Sequence, residues 1–162
     1  MHCCTLFLAF KSYGSSLAIL KNEDLVSSFD NTIKIWNVND GSLKKTLLGH
    51  IDFVESLSTL SNGDLVSNKT IKIWNVNDGS VKKTLSVLIF KLVVVQNGDL
   101  VSVSGVFIKI WDVNSGTVKR YLTGHTNYVR ALAVLQNGDL VSGSDDSTIN
   151  IWNANDGSLI RT

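Results

Sequence analysis

Asp139-Leu140-Val141-Ser142, followed closely by Thr148-Ile149-Asn150-Ile151-Trp152, is the last of four near-copies of one phrase. The other three end in Thr32-Ile33-Lys34-Ile35-Trp36, Thr70-Ile71-Lys72-Ile73-Trp74 and Phe107-Ile108-Lys109-Ile110-Trp111, each preceded by an Asp-Leu-Val-Ser that starts at Asp24, Asp64 or Asp99. The tryptophans stand 38, 37 and 41 residues apart. A fixed period near forty residues marks stacked repeats, in which no single unit can bury its apolar surfaces alone.

Working outward from the fourth copy, Val129 to Leu135 reads as a first strand. Asn137-Gly138 reads as a tight hairpin turn with both central positions at positive φ. Leu140-Val141-Ser142 opens a second strand, Asp145-Asp146-Ser147 makes a turn, and Ile149 to Trp152 is the third strand. Asn155-Asp156-Gly157 turns the chain into a fourth strand, Ser158 to Arg161. On the third strand Ile149 and Ile151 point to one face and Trp152 to the other. Both faces are apolar, so the neighbouring copy on each side is the expected cover.

The other copies keep this order. Asn62-Gly63, Asn97-Gly98 and Asn22-Glu23 stand at the first turn; Asn39-Asp40-Gly41, Asn77-Asp78-Gly79 and Asn114-Ser115-Gly116 stand at the last. Copy two is shorter between Ser67 and Thr70, and copy three between Thr84 and Gly98. The expected organisation is an N-terminal segment over 1–14, able to supply the outer strand of a preceding unit, and one continuous array over 15–162. Its four units fall near 15–47, 52–85, 87–122 and 127–162.

Composition narrows the function classes. The 162 residues are 44% hydrophobic and 18% charged, and 15 basic against 14 acidic groups leave a net charge of +1. No global field steers a polyanion or a membrane surface toward such a chain. Cys3 and Cys4 are adjacent and no Cys or His cluster has metal-ligand spacing, so neither a disulfide framework nor zinc is expected. Met1 to Phe10 lacks the charged start of a signal peptide, and the apolar run Val87 to Val95 is broken by Lys91 and too short to span as a helix. The expectation is an intracellular chain, cytoplasmic or nuclear, with no cofactor, no nucleic-acid partner and no membrane partner.

The repeats resemble the WD-repeat (WD40) family of β-propellers, whose blades are four-stranded sheets. That family carries Gly-His before the first strand and Trp-Asp at the end of the third. Gly49-His50 and Gly124-His125 match the first pair; Trp111-Asp112 matches the second, with Trp36-Asn37, Trp74-Asn75 and Trp152-Asn153 as Asn variants. The resemblance covers about Ser15 to Thr162. It implies an all-β fold of four blades, each of four antiparallel strands, in an arc or ring.

It also implies a bracing set of His, Ser or Thr, Asp and Trp in each blade. Copy four supplies His125, Ser142, Asp146 and Trp152. Copy one supplies Ser27, Asp30 and Trp36, with Phe10 at the histidine position; copy two supplies His50, Ser67 and Trp74, with Asn68 at the aspartate position; copy three supplies Ser102 and Trp111. Most propellers of the family have seven blades of about 51° each, so four cover about 205°. A closed four-blade ring, an eight-blade ring from two chains, and an incomplete propeller without independent function all remain open.

His125, Ser142 and Asp146 also have the residue types of a nucleophilic triad. No Gly-x-Ser-x-Gly elbow surrounds Ser142 and the set is partly repeated in other copies, so the brace is expected and an enzyme is not. Lys44-Lys45, Lys82-Lys83 and Lys119-Arg120 on the fourth strands read as lysines that protect an exposed sheet edge. Tyr128 and Arg130, Phe53 and Glu55, and Tyr13 stand just ahead of first strands, where the family resemblance implies a partner-binding face. Asn68-Lys69-Thr70 matches the glycosylation pattern by chance. The expected function is a non-catalytic scaffold for a protein or peptide partner.

Overall fold

The computed structural model describes residues 16–89 and 91–162. They form sixteen strands in four antiparallel sheets, and no helix occurs among them. Sheet one contains β1 (Leu17–Ile19), β2 (Leu25–Phe29), β3 (Thr32–Trp36) and β4 (Leu43–Leu47); sheet two contains β5 (Leu57–Thr59), β6 (Leu65–Ser67), β7 (Lys69–Trp74) and β8 (Val81–Ile89). Sheet three contains β9 (Lys91–Val94), β10 (Leu100–Ser104), β11 (Phe107–Asp112) and β12 (Thr117–Leu122); sheet four contains β13 (Val129–Val134), β14 (Leu140–Ser144), β15 (Ile149–Trp152) and β16 (Leu159–Arg161). Strands follow chain order within every sheet. Two compact units result, one holding sheets one and two and the other sheets three and four.

One register recurs in all four sheets. Ser27 pairs with Lys34, Ser67 with Lys72, Ser102 with Lys109 and Ser142 with Asn150. The tryptophan two residues beyond each partner is therefore the diagonal same-face neighbour of the serine, within reach of a large side chain. The indole donates in every copy: Trp36, Trp74, Trp111 and Trp152 Nε1 lie 2.9, 2.8, 2.8 and 2.8 Å from Ser27, Ser67, Ser102 and Ser142 Oγ. The alternation of strand residues thus places an indole and its acceptor together inside the stack.

Each unit has its own core. In the first, Val26, Ile33 and Ile35 of sheet one pack with Leu57, Leu65 and Trp74 of sheet two. In the second, Val101, Ile108 and Ile110 of sheet three pack with Val129, Leu140 and Trp152 of sheet four. The isoleucine face of one sheet meets the tryptophan face of the next, and each fully buried aliphatic contributes about 1.5–3 kcal/mol.

The first turn differs from the sequence expectation. Gly138 N–H donates to Leu135 O at 2.9 Å and Leu135 N–H to Asp139 O at 2.8 Å. Only the glycine has positive φ, 90° at Gly138. This is a three-residue loop with a glycine bulge rather than a two-residue turn. The asparagine is retained for its side chain: Asn137 Oδ1 accepts from Asp139 N–H at 3.1 Å, and its amide donates to the Asp139 carboxylate at 2.7 Å. In copy one, Glu23 holds the glycine position at φ 65°.

The shortened copies have a structural counterpart. In copy two only residues 68–71 separate the paired Ser67 and Lys72, against 28–33 between Ser27 and Lys34 in copy one, and Lys69 sits at φ 70°. β8 runs to Ile89 and β9 starts at Lys91, so copy three has no room for the Gly-His connection that precedes β5 and β13.

Candidate functional site

Because consecutive strands are antiparallel, the β2–β3 and β14–β15 turns emerge at the same end of their sheets as the connections into β5 and β13. The bracing residues and the exposed aromatics lie at this end. The Asn-Gly and Asn-Asp-Gly turns lie at the other.

His125 Nδ1 is 2.8 Å from Asp146 Oδ2, and His125 Nε2 is 2.8 Å from Ser142 Oγ, which accepts the Trp152 indole N–H. Thr148 joins this chain: its hydroxyl donates to Asp146 Oδ1 at 2.5 Å and lies 3.1 Å from His125 Nδ1. Thr126 N–H and Thr148 N–H also donate to the carboxylate, at 2.8 and 2.9 Å. Burial pushes the Asp146 carboxyl up, but the Thr148 hydroxyl, the two N–H groups and His125 outweigh it and hold it well below the usual carboxylate range. Thr148 begins the Thr-Ile-x-Ile-Trp phrase, and its recurrence as Thr32 and Thr70 was the signal available in the sequence.

Copy two is a three-membered version. His50 Nε2 is 2.6 Å from Ser67 Oγ and the His50 ring is 5.8 Å from that of Trp74. Asn68 turns its side-chain oxygen to Glu55 N–H at 2.7 Å and Ser56 N–H at 2.9 Å, pinning the entry to β5. Its side chain is buried, so the glycosylation match is a coincidence of sequence. Burial, with a smaller contribution from the Lys72 charge, lowers the His50 pKa to about 4. In copy one, Asp30 lies in the β2–β3 turn at φ 53° and its carbonyl accepts from Val54 N–H at 2.9 Å. Phe10 and Tyr13 lie outside the described residues.

The surface candidates sit beside these networks. Tyr128 is 53% exposed, and the Arg130 guanidinium lies 5.1 Å from its ring centroid. Arg130 also forms a two-nitrogen contact with Asp145 Oδ2, at 2.8 and 2.6 Å, which holds the Asp145 carboxyl below its usual range. In copy two, Phe53 is 49% exposed and neighbours the open Ile51, while Glu55 is ion-paired with Lys69 at 3.2 Å. Tyr128 and Arg130 are thus brought together, as are Glu55 and the Asn68 turn.

The basic pairs have a second duty that the edge reading missed. The first lysine of each pair folds onto the aspartate of its own Asp-Leu-Val-Ser phrase, as in Lys44 to Asp24 at 2.6 Å. In two of the pairs the second residue ties to the next copy: Lys45 Nζ donates to Asn77 O at 2.5 Å, and Arg120 Nε to Asp156 O at 3.0 Å. The recurring separation of aspartate and lysine was visible in the sequence, but their convergence required the sheet register.

A family model described as WD domain, G-beta repeat, matches residues 8–37 and 116–153. The WD40 β-propeller domain of Doa1 superposes with a TM-score of 0.77 at 32% identity, over 90% of this chain and 51% of that one. The chain carries WD40-type repeats in a WD40 propeller fold. U3-55K has the same fold, with a TM-score of 0.79 at 23% identity over 89% of this chain and 50% of that one. The chain spans about half the length of the solved structures it matches. No curated protein sequence matches it significantly. WD40 propellers are generally non-catalytic interaction scaffolds, and the four sheets are four such blades.

Proposed function

We propose that this chain is a non-catalytic scaffold that binds a protein or peptide partner at the brace end of its blades, with Tyr128 and Arg130 as anchors. The supporting observation is the exposed Tyr128 ring with a guanidinium stacked on it, mounted directly beside the buried His125–Ser142–Trp152 chain. Tyrosine and arginine dominate binding hot spots because they offer large rigid contact area with a polar tip. Phe53 and Ile51 present the equivalent apolar surface in copy two. The brace residues position this surface and do not react: Ser142 is 0% exposed and its oxygen already has two partners. A hydrolase would need that oxygen open to substrate.

Selection of a displayed random-peptide library on the immobilised chain tests this reading. Enriched peptides are expected to bind wild type and to weaken at least tenfold on Tyr128→Ala or Arg130→Ala, with unchanged melting curves. Peptides that bind both variants as tightly as wild type would overturn the placement.

A second reading concerns a second copy. Ile149 of sheet four is 64% exposed, whereas its counterpart Ile108 in sheet three is 1% exposed because a tryptophan face covers it. On the tryptophan face of sheet one, Trp36 is half-buried among the described residues. One copy's isoleucine face fits another's tryptophan face by the contact already made within each unit, a head-to-tail arrangement that closes when both contacts form. A dimer completing an eight-blade ring follows from that repetition.

A further inference from the structure

In three copies the aspartate of the Asp-Leu-Val-Ser phrase holds a lysine ammonium. Lys44, Lys82 and Lys119 Nζ lie 2.6, 2.7 and 2.5 Å from Asp24, Asp64 and Asp99 Oδ1. In copies one and three that lysine is the bulge residue opposite the third strand, between Leu43 and Lys45 and between Val118 and Arg120. Copy four has the same bulge, but its residue, between Leu159 and Arg161, is Ile160. Asp139 keeps its asparagine partner, Asn137 Nδ2 at 2.7 Å, and has no ion pair among the described residues.

A second observation falls on the same residue. Asp139 lines a cleft of about 270 Å³ between the turns of copies three and four, with Val95, Gln96, Asn137, Ala154 and Asn155 on its walls. At the equivalent place between copies one and two, Lys21 reaches across to the Ser61 carbonyl. Gln96 replaces that lysine and donates to the Gln136 carbonyl at 2.8 Å. Lys21, Asp64 and Lys82 give one junction a local formal charge of +1; Gln96, Asp139 and Ile160 give the other −1.

We propose that the cleft between copies three and four binds the primary ammonium of a lysine side chain presented by a protein partner. Asp139 is its counter-ion, taking the place the chain's own lysine fills in the other copies. Val95 and Ala154 suit the aliphatic stem, which such side chains lay along apolar surface. This contact lies at the opposite end of the sheets from Tyr128, so it extends the scaffold reading without depending on the anchors named there.

The test is a titration of the ¹⁵N-labelled chain, followed by amide chemical shifts, with a capped Gly-Lys-Gly peptide, its norleucine analogue and n-butylamine. The lysine peptide is expected to shift the Gly138, Asp139 and Asn155 amides saturably, with a dissociation constant of about 1–10 mM for one such contact. The norleucine peptide is expected to bind at least tenfold more weakly. Asp139→Asn should abolish the shifts, and so should Ile160→Lys, which supplies an internal ammonium and leaves the aspartate intact. No saturable shift, equal response to norleucine, or binding that survives both substitutions would overturn the proposal. Butylamine binding as tightly as the peptide would assign the cleft to free amines and overturn the partner-lysine source.

Discussion

At the scale of single residues, the four copies act as internal controls for one another. Three of them place glycine in the left-handed region of the first turn, at φ 90°, 86° and 90° for Gly63, Gly98 and Gly138, while copy one places Glu23 at 65°. A side chain with a Cβ costs about 1–2 kcal/mol there, partly offset by the greater backbone entropy that glycine loses. Glu23→Gly is therefore expected to stabilise the chain by about 0.5–1 kcal/mol in urea denaturation. The histidines give two further expectations. His125→Ala leaves Ser142 and the buried carboxylate short of a partner and should cost about 1–3 kcal/mol, with the Trp152 environment altered in near-ultraviolet circular dichroism. His50 titrates at about 4 when folded and near its ordinary 6.5 when unfolded. The unfolded chain thus binds more protons between those values, so His50 makes stability fall as pH drops from about 6.5 to 4 and flatten below. Comparing melting temperatures of wild type and His50→Gln across that window checks the sign, since only wild type should carry this slope.

At the scale of elements, strands and turns were legible because the repeat shows each of them four times. The isoleucine and tryptophan faces followed from alternation alone. Less legible was whatever depended on register or on contact between neighbouring copies. The lysines of the fourth strands looked like free edge charges, yet a bulge turns Lys44 onto Asp24, and Lys45 reaches the turn of the next copy. Thr148 looked like an ordinary strand residue and is a donor to Asp146. The Asn-Gly turn was read from its two central residues, whereas the asparagine side chain closes a longer loop. Tight packing between neighbouring copies is clearest at Gly157, where φ is 78° and an added Cβ would lie 2.9 Å from Leu122 Cδ2. Gly157→Ala combines left-handed strain with overpacking and is expected to cost about 2–4 kcal/mol in chemical denaturation. Gly41→Ala, at the first copy's last turn, separates the two effects by keeping the positive φ.

At the scale of the whole molecule, the blades within each unit meet isoleucine face to tryptophan face. Among the described residues, sheet four's isoleucine face is exposed at Ile149 and sheet one's tryptophan face leaves Trp36 half-buried, and apolar faces of this kind drive association. The bracing networks do not change this, because they leave the isoleucine and tryptophan faces apolar. The most direct measurement is the solution mass of the purified chain by light scattering, alongside the same measurement on Ile149→Glu. The expected result is a monodisperse particle of twice 17.7 kDa for wild type, with the variant shifted to the monomer. A wild-type particle of 17.7 kDa that melts in one cooperative transition would contradict it, because the open faces would then be stable in water without a second set of blades.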